Sequence, residues 1–290
     1  MIDLHTHSSA SDGELGPAEL IQTAALQGLG ALALTDHDTI TGLEYARNEA
    51  AIRGIRFIPG VEMEITETDT RRNPPGEFHL LGLGIERPVP AFLAALETLS
   101  RLREERNLEI LDRMRKSGIE ADYGELKAFS GGHSVGRPHF AALLVNRRIV
   151  RNHEQAFIRY LGRGKPFYVP KAGLEFENAA ALIRESGGIP ILAHPMSLYI
   201  AWGKLPDFIR DLKERGLAGI EAWHPSANVR SCGRLEALGK SLGLRITAGS
   251  DFHGSVRPDR KLGHTAGGRK IDDAVLEAIP ELYPVPAPAE

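Results

Sequence analysis

Short apolar runs alternate with longer amphipathic stretches along this chain. Seven runs have the length and composition of buried β-strands, and most of them end in polar residues: residues 1–5, 30–35, 55–62, 78–83, 189–194, 218–223 and 244–250. Helical patterns lie between them, for example over residues 16–27 and 175–186. Such alternation is typical of parallel βαβ units, so the pattern predicts an α/β fold close to a complete (β/α) barrel.

The region between the fourth and fifth strands breaks this alternation. Residues 91–117 are predicted to form one long amphipathic helix that ends at Gly118. Its predicted apolar stripe consists of Leu93, Leu96, Leu99, Ile110 and Met114. A second helix is expected to begin near Ser134, with Pro138 in its first turn. We therefore divide the chain into a barrel, residues 1–98 and 172–290, and a helical insertion, residues 99–171.

Charge is distributed unevenly between these two parts. The chain has a net charge of −3, but residues 99–171 contain 15 Lys and Arg against 8 Asp and Glu. An acidic barrel suits bound cations, and a basic insertion suits a lid over an anionic substrate. Solvated helix faces with surplus arginine would explain the same numbers equally well.

Other features of the composition exclude several classes of protein. The single cysteine, Cys232, allows neither a disulfide framework nor a thiolate zinc site. The N-terminus lacks a basic segment followed by an apolar one, and no apolar run reaches the roughly 18 residues of a membrane span. We expect a cytoplasmic protein without a membrane partner, and its oligomeric state stays open.

Polar side chains suited to metal binding follow the predicted strands. His5 and His7 are two residues apart, so in a strand both point to the same face. Seven of the eleven histidines lie at strand ends, where catalytic groups of parallel barrels gather. The full set comprises His5, His7, Asp12, His37, Glu62, His79, His194, His224, Asp251 and His253.

A single histidine can be buried at a strand end without a metal ion, because a neighbouring backbone carbonyl can accept a hydrogen bond from its ring. Burial of this many imidazoles and carboxylates at one rim would be very costly without bound cations. The set therefore predicts a cluster of divalent metal ions. Asp3 and Asp36 are interpreted as acceptors that orient ligand imidazoles.

The chain resembles the PHP (polymerase and histidinol phosphatase) family of metal-dependent phosphoesterases. Six motifs carry the resemblance, in this order: DLHTH (residues 3–7), SDG (11–13), TDHD (35–38), GVE (60–62), AHP (193–195) and GSDFH (249–253). The insertion resembles the subgroup that acts on nucleoside 3′,5′-bisphosphates and short oligoribonucleotides, the RNase AM type. Its two motifs are SVGRPH (134–139) and KPFYVPK (165–171).

The resemblance implies a distorted seven-stranded (β/α) barrel of PHP type with a helical insertion. It also implies two or three divalent ions, with Mn²⁺ expected and Zn²⁺ or Fe²⁺ as alternatives. The first ion would be held by His5, His7, Glu62 and Asp251. Glu62 would bridge to a second ion held by His79 and His194, and Asp12, His37 and His253 would hold the third.

Paired ions of this kind would activate a bridging hydroxide, so that no Ser or Cys nucleophile is needed. Glu62 and Asp251 would then be catalytic through the ions they hold. The proton for the leaving group could come from His224 or from a metal-bound water, and the sequence does not decide between them.

Four residues are candidates for substrate binding. Arg137 and Lys171 could bind a phosphate that does not react, since guanidinium binds phosphate with two hydrogen bonds and ammonium acts as a point charge. Backbone amides at the helix start near Ser134 could also bind that phosphate, and His264 is a further candidate.

We therefore expect a phosphoric ester hydrolase that removes the 3′-phosphate of a nucleoside 3′,5′-bisphosphate and releases the 5′-monophosphate. Trimming of short RNAs in the 5′–3′ direction is a related expectation. One alternative is a histidinol-phosphate-type monoester phosphatase, although a small cationic substrate needs no basic lid. The other alternative is a non-catalytic metal- or nucleotide-binding module, which metal-dependent turnover would exclude.

Overall fold

The computed structural model describes residues 1–129 and 135–282. Seven strands form one sheet in chain order: β1 (Ile2–Thr6), β2 (Ala31–Leu34), β3 (Arg56–Glu64), β4 (His79–Leu83), β5 (Ile189–Leu192), β6 (Gly219–Trp223) and β7 (Arg245–Ala248). The sheet curves until its two edges meet. There the Asp251 amide donates to His5 O at 2.9 Å, and the His7 amide donates to Phe252 O at 3.0 Å. The predicted seven-stranded barrel is confirmed.

Strand β4 runs opposite to its neighbours. It pairs antiparallel with both β3 and β5, whereas all the other neighbouring strands are parallel. The beginning of β4 therefore lies at the rim where the other strands end. This direction explains why His79, the first residue of β4, lies with the predicted ligands that follow the other strands.

The described helices are α1 (Pro17–Leu26), α2 (Leu43–Arg53), α3 (Pro90–Lys116), α4 (Tyr123–Phe129), α5 (Arg137–Asn146), α6 (His153–Ala156), α7 (Phe176–Glu185), α8 (Leu205–Glu214), α9 (Val229–Ser241) and α10 (Ala274–Glu277). Alternation along β2 separates two layers of the core. Leu32 and Leu34 pack with residues of α1 and α2, whereas Ala31 and Ala33 pack with Leu4 inside the barrel.

A bulge in β1 matters for the site. The pairing of β1 with β2 shifts in register between Asp3 and Thr6. Strict alternation would place Leu4 and His5 on opposite faces, but the bulge lets both contribute to the interior. A second register shift lies in β6 between Glu221 and Trp223. The two bulges flank the place where His5 meets Glu221.

Helix α3 connects the barrel to the insertion. Its first half packs on the barrel core through Leu96 and Leu99, and its second half joins a separate core through Ile110 and Met114. The prediction that Leu93 belongs to the buried stripe is wrong, because Leu93 is 41% exposed. The helix begins one residue before the predicted start, and its rotation buries Phe92 instead.

Insertion helices α4, α5 and α6, followed by a π-helical turn at Phe157–Leu161, lie on this second core. The Asn107 side chain of α3 donates to Val135 O at 2.8 Å, which fixes the start of α5. Gly136, at the cap of α5, comes so close to the rim that an added Cβ would lie 3.8 Å from Asp12 Oδ2. The insertion therefore covers the rim that carries the predicted ligands.

The C-terminal part contains a hairpin that the sequence pattern did not predict, with strands β8 (His264–Thr265) and β9 (Arg269–Lys270). After it, Ile271 and Leu276 join the core inside the barrel. Each of these pieces is too short to show a periodic pattern. No helix among the described residues has the length and apolarity that a membrane crossing requires.

Candidate active site

Four predicted ligands converge where β1, β3 and the segment after β7 meet. His5 Nε2 and His7 Nε2 lie 3.1 Å apart, and they lie 3.4 and 3.3 Å from Glu62 Oε2. Asp251 Oδ1 lies 3.6 Å from His5 Nε2 and 3.2 Å from His7 Nε2. Ligands placed about 2.1 Å from one tetrahedral ion lie about 3.4 Å from each other. These separations fit a single divalent ion.

Glu62 faces two groups of imidazoles with its two oxygens. Oε1 lies 2.9 Å from His79 Nδ1 and 2.8 Å from His194 Nε2, and those two nitrogens are 3.2 Å apart. Oε2 faces His5 and His7, as well as His37 Nδ1 at 3.0 Å. This arrangement suits a carboxylate that bridges two ions.

A further group of ligands surrounds Asp12. His253 Nε2 lies 3.1 Å from Asp12 Oδ1, and His37 Nε2 lies 3.9 Å from Asp12 Oδ2. His7 also has a nitrogen within reach of this group. His37 lies between Asp12 and Glu62, so it connects this group to the first one.

Hydrogen bonds on the far side of the rings orient three of these imidazoles. His5 Nδ1 lies 3.0 Å from Glu221 Oε1, and His253 Nδ1 lies 2.8 Å from the Asp251 carbonyl oxygen. His194 Nδ1 contacts Ser197 Oγ, whose hydroxyl donates to the His194 carbonyl. In each case the proton belongs on Nδ1, so the Nε2 lone pair faces the centre.

Glu221 holds more of the site together than the sequence suggested. Besides contacting His5, it accepts the His194 backbone amide at 2.8 Å. Gly249 makes this approach possible, because an added Cβ there would lie 2.2 Å from His5 Cβ and 2.6 Å from Glu221 Oε1. The backbone is also strained at two of the candidate ligands, with φ of 29° at His194 and 54° at Asp251. Such strain often accompanies functional sites.

The electrostatics of the centre favour added positive charge. Burial disfavours the ionised form of Glu62, but His79, His37 and His5 lower its pKa well below the usual range. Burial likewise disfavours the imidazolium of His7, yet hydrogen bonds to Asp251 and Glu62 raise its pKa to about 9. Burial and Lys171 lower the pKa of His79, but Glu62 and Glu64 raise it to about 10 overall.

The residues present fit a cluster of divalent cations. Buried carboxylates and converging imidazole lone pairs form its donor set, and His7 Nδ1 lacks a hydrogen-bond partner among the described residues. The candidate ligands are His5, His7, Asp12, His37, Glu62, His79, His194, Asp251 and His253.

A cavity of about 170 Å³ lies between this cluster and the insertion. Its roof carries four cationic residues, Arg103, Arg106, Arg137 and Lys171. Three of them already contact carboxylates: Arg103 pairs with Asp38, Arg137 lies 3.0 Å from Glu77, and Lys171 lies 2.5 Å from Glu64. The cavity therefore has an anionic floor suited to metals and a cationic roof.

A second cavity of about 450 Å³ opens beside the first. Arg137, Phe157 and Lys171 line both cavities, so the two lie side by side. The wall of the second cavity also carries Arg163 and the 75% exposed Tyr199. Basic and aromatic side chains in one groove are suited to single-stranded nucleic acid.

Several predicted residues lie elsewhere than expected. Asp3 and Asp36 do not orient imidazoles: Asp3 accepts the backbone amides of Ser250 and Gly263, and Asp36 accepts the amide and hydroxyl of Ser8. These aspartates fix backbone segments instead, because each lies where a neighbouring loop exposes unpaired donors.

Of the remaining candidates, His224 is buried, and its Nε2 lies 3.4 Å from Asp251 Oδ2 rather than on the cavity wall. His264 lies on the hairpin, where Nδ1 contacts Leu262 O, and it lines neither of the two cavities. Arg137 and Lys171 do line the cavity over the cluster. Ser134 lies outside the described residues.

The sequence interpretation also missed cavity residues on helix α3. Arg103 and Arg106 line the cavity, and they continue the face that carries Leu99 and Ile110, at spacings of four, three and four residues. Two arginines within an apolar stripe were a visible signal. Glu77, on the wall of both cavities, follows an irregular loop and carried no such signal.

The chain is similar to a known protein family, to named relatives and to a solved structure. Residues 3–165 match the model of the PHP domain. The chain is 38% identical over 251 residues to the 5′-3′ exoribonuclease of Haemophilus influenzae, covering 87% of this chain and 89% of that one. It is 34% identical over 265 residues to the 3′,5′-nucleoside bisphosphate phosphatase of Chromobacterium violaceum, covering 91% of each. A solved structure described as an amidohydrolase from Chromobacterium violaceum, with bound sulfate and no metal, superposes with a TM-score of 0.83 at 32% identity and covers 96% of both chains.

Proposed function

This chain belongs to the PHP-domain family, and on that premise we propose that it is a metal-dependent phosphatase that converts nucleoside 3′,5′-bisphosphates to 5′-monophosphates. The observation that carries the proposal is one cavity between two sets of side chains that could each bind a phosphate. Candidate metal ligands form its floor, and cationic side chains of the insertion form its roof. A ribose with phosphates on both sides would fill both.

Mn²⁺ is the ion we propose for the ligand cluster, since the carboxylates suit it, and Zn²⁺ or Fe²⁺ are alternatives because imidazoles suit both. When bound, paired divalent ions supply a nucleophile at neutral pH and neutralise the charge of the scissile phosphate. Glu62 would hold two ions together, and Asp251 would complete the first site. Glu221 keeps His5 in the orientation that ligation requires.

The roof would bind the phosphate that does not react. Arg137 and Lys171 are proposed for this role because they line the cavity beside the cluster. Their contacts with Glu77 and Glu64 hold both side chains in place. Interactions with the non-reacting phosphate would position the scissile phosphate over the metal ligands.

His224 is better suited to positioning Asp251 than to contacting the substrate. Its Nδ1 accepts the Ser226 amide at 3.1 Å, so the proton of the neutral ring belongs on Nε2, 3.4 Å from Asp251 Oδ2. A direct proton transfer from His224 to the leaving group stays a prediction, as does a substrate contact of His264.

Trimming of short oligoribonucleotides is a second candidate function. The second cavity, a groove beside the metal cavity, favours it, because Arg163 and Tyr199 on its wall could contact a nucleotide beyond the hydrolysed one. The relative named as an exoribonuclease is consistent with this candidate. A cytoplasmic location is proposed for either activity.

A phosphate-release screen with added Mn²⁺ tests the proposal. Nucleoside 3′,5′-bisphosphates, 3′- and 5′-monophosphates, short 5′-phosphorylated RNAs and histidinol phosphate would be compared at equal concentration. We expect the bisphosphates to be hydrolysed fastest among the small substrates. Faster hydrolysis of histidinol phosphate would contradict the proposal, and no metal-dependent turnover on any substrate would indicate a binding module.

A further inference from the structure

Arg106 differs from the other cations around the metal cavity. Its side chain lies on the buried face of α3 and is only 8% exposed, yet it lines the cavity. The other Lys and Arg side chains that line it each lie within 4.0 Å of a carboxylate oxygen: Arg103, Arg137, Lys171 and Arg257. Among the described residues, no carboxylate oxygen lies within the 4.0 Å ion-pair distance of the Arg106 guanidinium.

Arg106 forms no ion pair with a described carboxylate, and its hydrogen bonds are few. Nη2 donates to the neutral side chain of Asn107 at 3.2 Å, and Nε has no hydrogen-bond partner in the described part of the chain. Burial, together with repulsion from Arg103 and Arg137, lowers the pKa of Arg106 to about 10, and attraction by Glu64 and Asp38 offsets this only in part. Burial of a guanidinium without an anion is strongly unfavourable for the folded state.

Arg106 lies on a face of α3 that carries buried apolar residues. Leu99 and Ile110, which lie on the same face of α3, are fully buried apolar residues. A leucine or methionine at 106 would fill the same space without that penalty. A buried arginine facing a cavity calls for an anion that binds from outside, and guanidinium binds phosphate with two parallel hydrogen bonds.

From this we infer that Arg106 binds the non-reacting phosphomonoester of the substrate and makes the enzyme selective for bisphosphates. The inference rests on the proposed function. Among the cations of the roof, Arg106 should bind the non-reacting phosphate most strongly, because no described carboxylate pairs with it. Arg137 and Lys171 already share their charge with Glu77 and Glu64, so they have less to gain from an incoming phosphate.

Kinetics of Arg106→Met provide the first test. The value of kcat/KM for a nucleoside 3′,5′-bisphosphate should fall roughly 10- to 150-fold, the effect of a lost charge-assisted contact. For the matching 3′-monophosphate it should fall less than about threefold. Arg101→Met is the matched control, because Arg101 lies on the same helix with 66% of its side chain exposed. Equal losses on both substrates would overturn the inference.

Stability separates this role from a purely structural one. If Arg106 binds substrate, its burial destabilises the folded protein in the absence of ligand. The ligand-free Tm of Arg106→Met should therefore equal or exceed that of the wild type. A marked fall in Tm with equal kinetic losses would show that Arg106 supports the fold. If Arg106→Met does not fold, Arg106→Lys keeps the charge but cannot form two parallel bonds, and it should show a smaller loss confined to the bisphosphate.

Binding of inorganic sulfate tests Arg106 independently of turnover. Calorimetric titration of the Mn²⁺-loaded protein should show one sulfate fewer bound to Arg106→Met than to the wild type or Arg101→Met. Equal stoichiometry and affinity in all three proteins would overturn the inference. A wild type without preference for bisphosphates would instead contradict the proposed function, so the two failures can be distinguished.

Discussion

Replacing Glu62 with Gln probes the bridging role that its geometry suggests. Oε1 of Glu62 is within 2.9 Å of ring nitrogens of His79 and His194. Oε2 is within 3.4 Å of nitrogens of His5 and His7. An amide retains one oxygen and presents an NH₂ group in place of the other. Whichever way the amide turns, the ion held beside one of the two groups of imidazoles would lose its oxygen ligand.

The magnitude of the effect follows from what the lost ligand does. An NH₂ group donates hydrogen bonds and does not bind a cation, so at least one ion should be held far more weakly. Even the removal of one preorganised donor to a developing charge costs roughly 10²- to 10³-fold in kcat. Loss of a whole cation should cost more, so we expect turnover of Glu62→Gln to fall at least roughly 10³-fold.

The assay combines three measurements on one preparation: kcat with saturating Mn²⁺, metal content by mass spectrometry, and far-ultraviolet circular dichroism. Glu67→Gln is the matched control, because Glu67 is also a buried glutamate but pairs with Arg215 away from the cavity. Glu62→Gln should keep the wild-type spectrum and lose both metal and activity. Wild-type turnover with full metal content would refute the bridging assignment.

Two further predictions follow from the structure. Glu221→Gln should weaken Mn²⁺ binding roughly 10- to 100-fold, because His5 loses the charged partner that orients its ring, and unchanged affinity in a metal titration would exclude that role. Tyr199→Ala should lower the ratio of kcat/KM for a short RNA to kcat/KM for a bisphosphate by roughly 5- to 150-fold, the value of stacking one base. The exposed Tyr45 provides the control as Tyr45→Ala, and an unchanged ratio in Tyr199→Ala would mean that Tyr199 does not stack on the RNA.

Much of the fold and of the ligand cluster could be predicted because strand ends are a strong signal. Apolar runs followed by histidine or aspartate identified the strands that end at the rim, and the short distance between His5 and His7 agrees with their spacing in the sequence. The direction of β4 could not be predicted, since an isolated run such as His79–Leu83 carries no sign of its polarity. The antiparallel pairing emerges only in the sheet.

Residues outside the strand ends were harder to identify for different reasons. Glu221 lies within a strand between Ile220 and Ala222, and its role depends on the bulges that bring His5 against it. Arg106 was not singled out, because solvated helix faces with surplus arginine explained the charge of the insertion equally well. Its spacing from Leu99 and Ile110 indicated burial, but its lack of a carboxylate partner among the described residues is a property of the packed structure alone.

The most direct test of the account is the reaction of a 3′,5′-bisphosphonucleoside followed by chromatography of its products. With Mn²⁺ present, kcat/KM should exceed that for the matching 3′- or 5′-monophosphate by at least about tenfold, the effect of about 1.4 kcal/mol of anchoring. The nucleotide released should be the 5′-monophosphate. Accumulation of the 3′-monophosphate, or equal rates on the monophosphates, would contradict a metal floor that cleaves one phosphate and a cationic roof that binds the other.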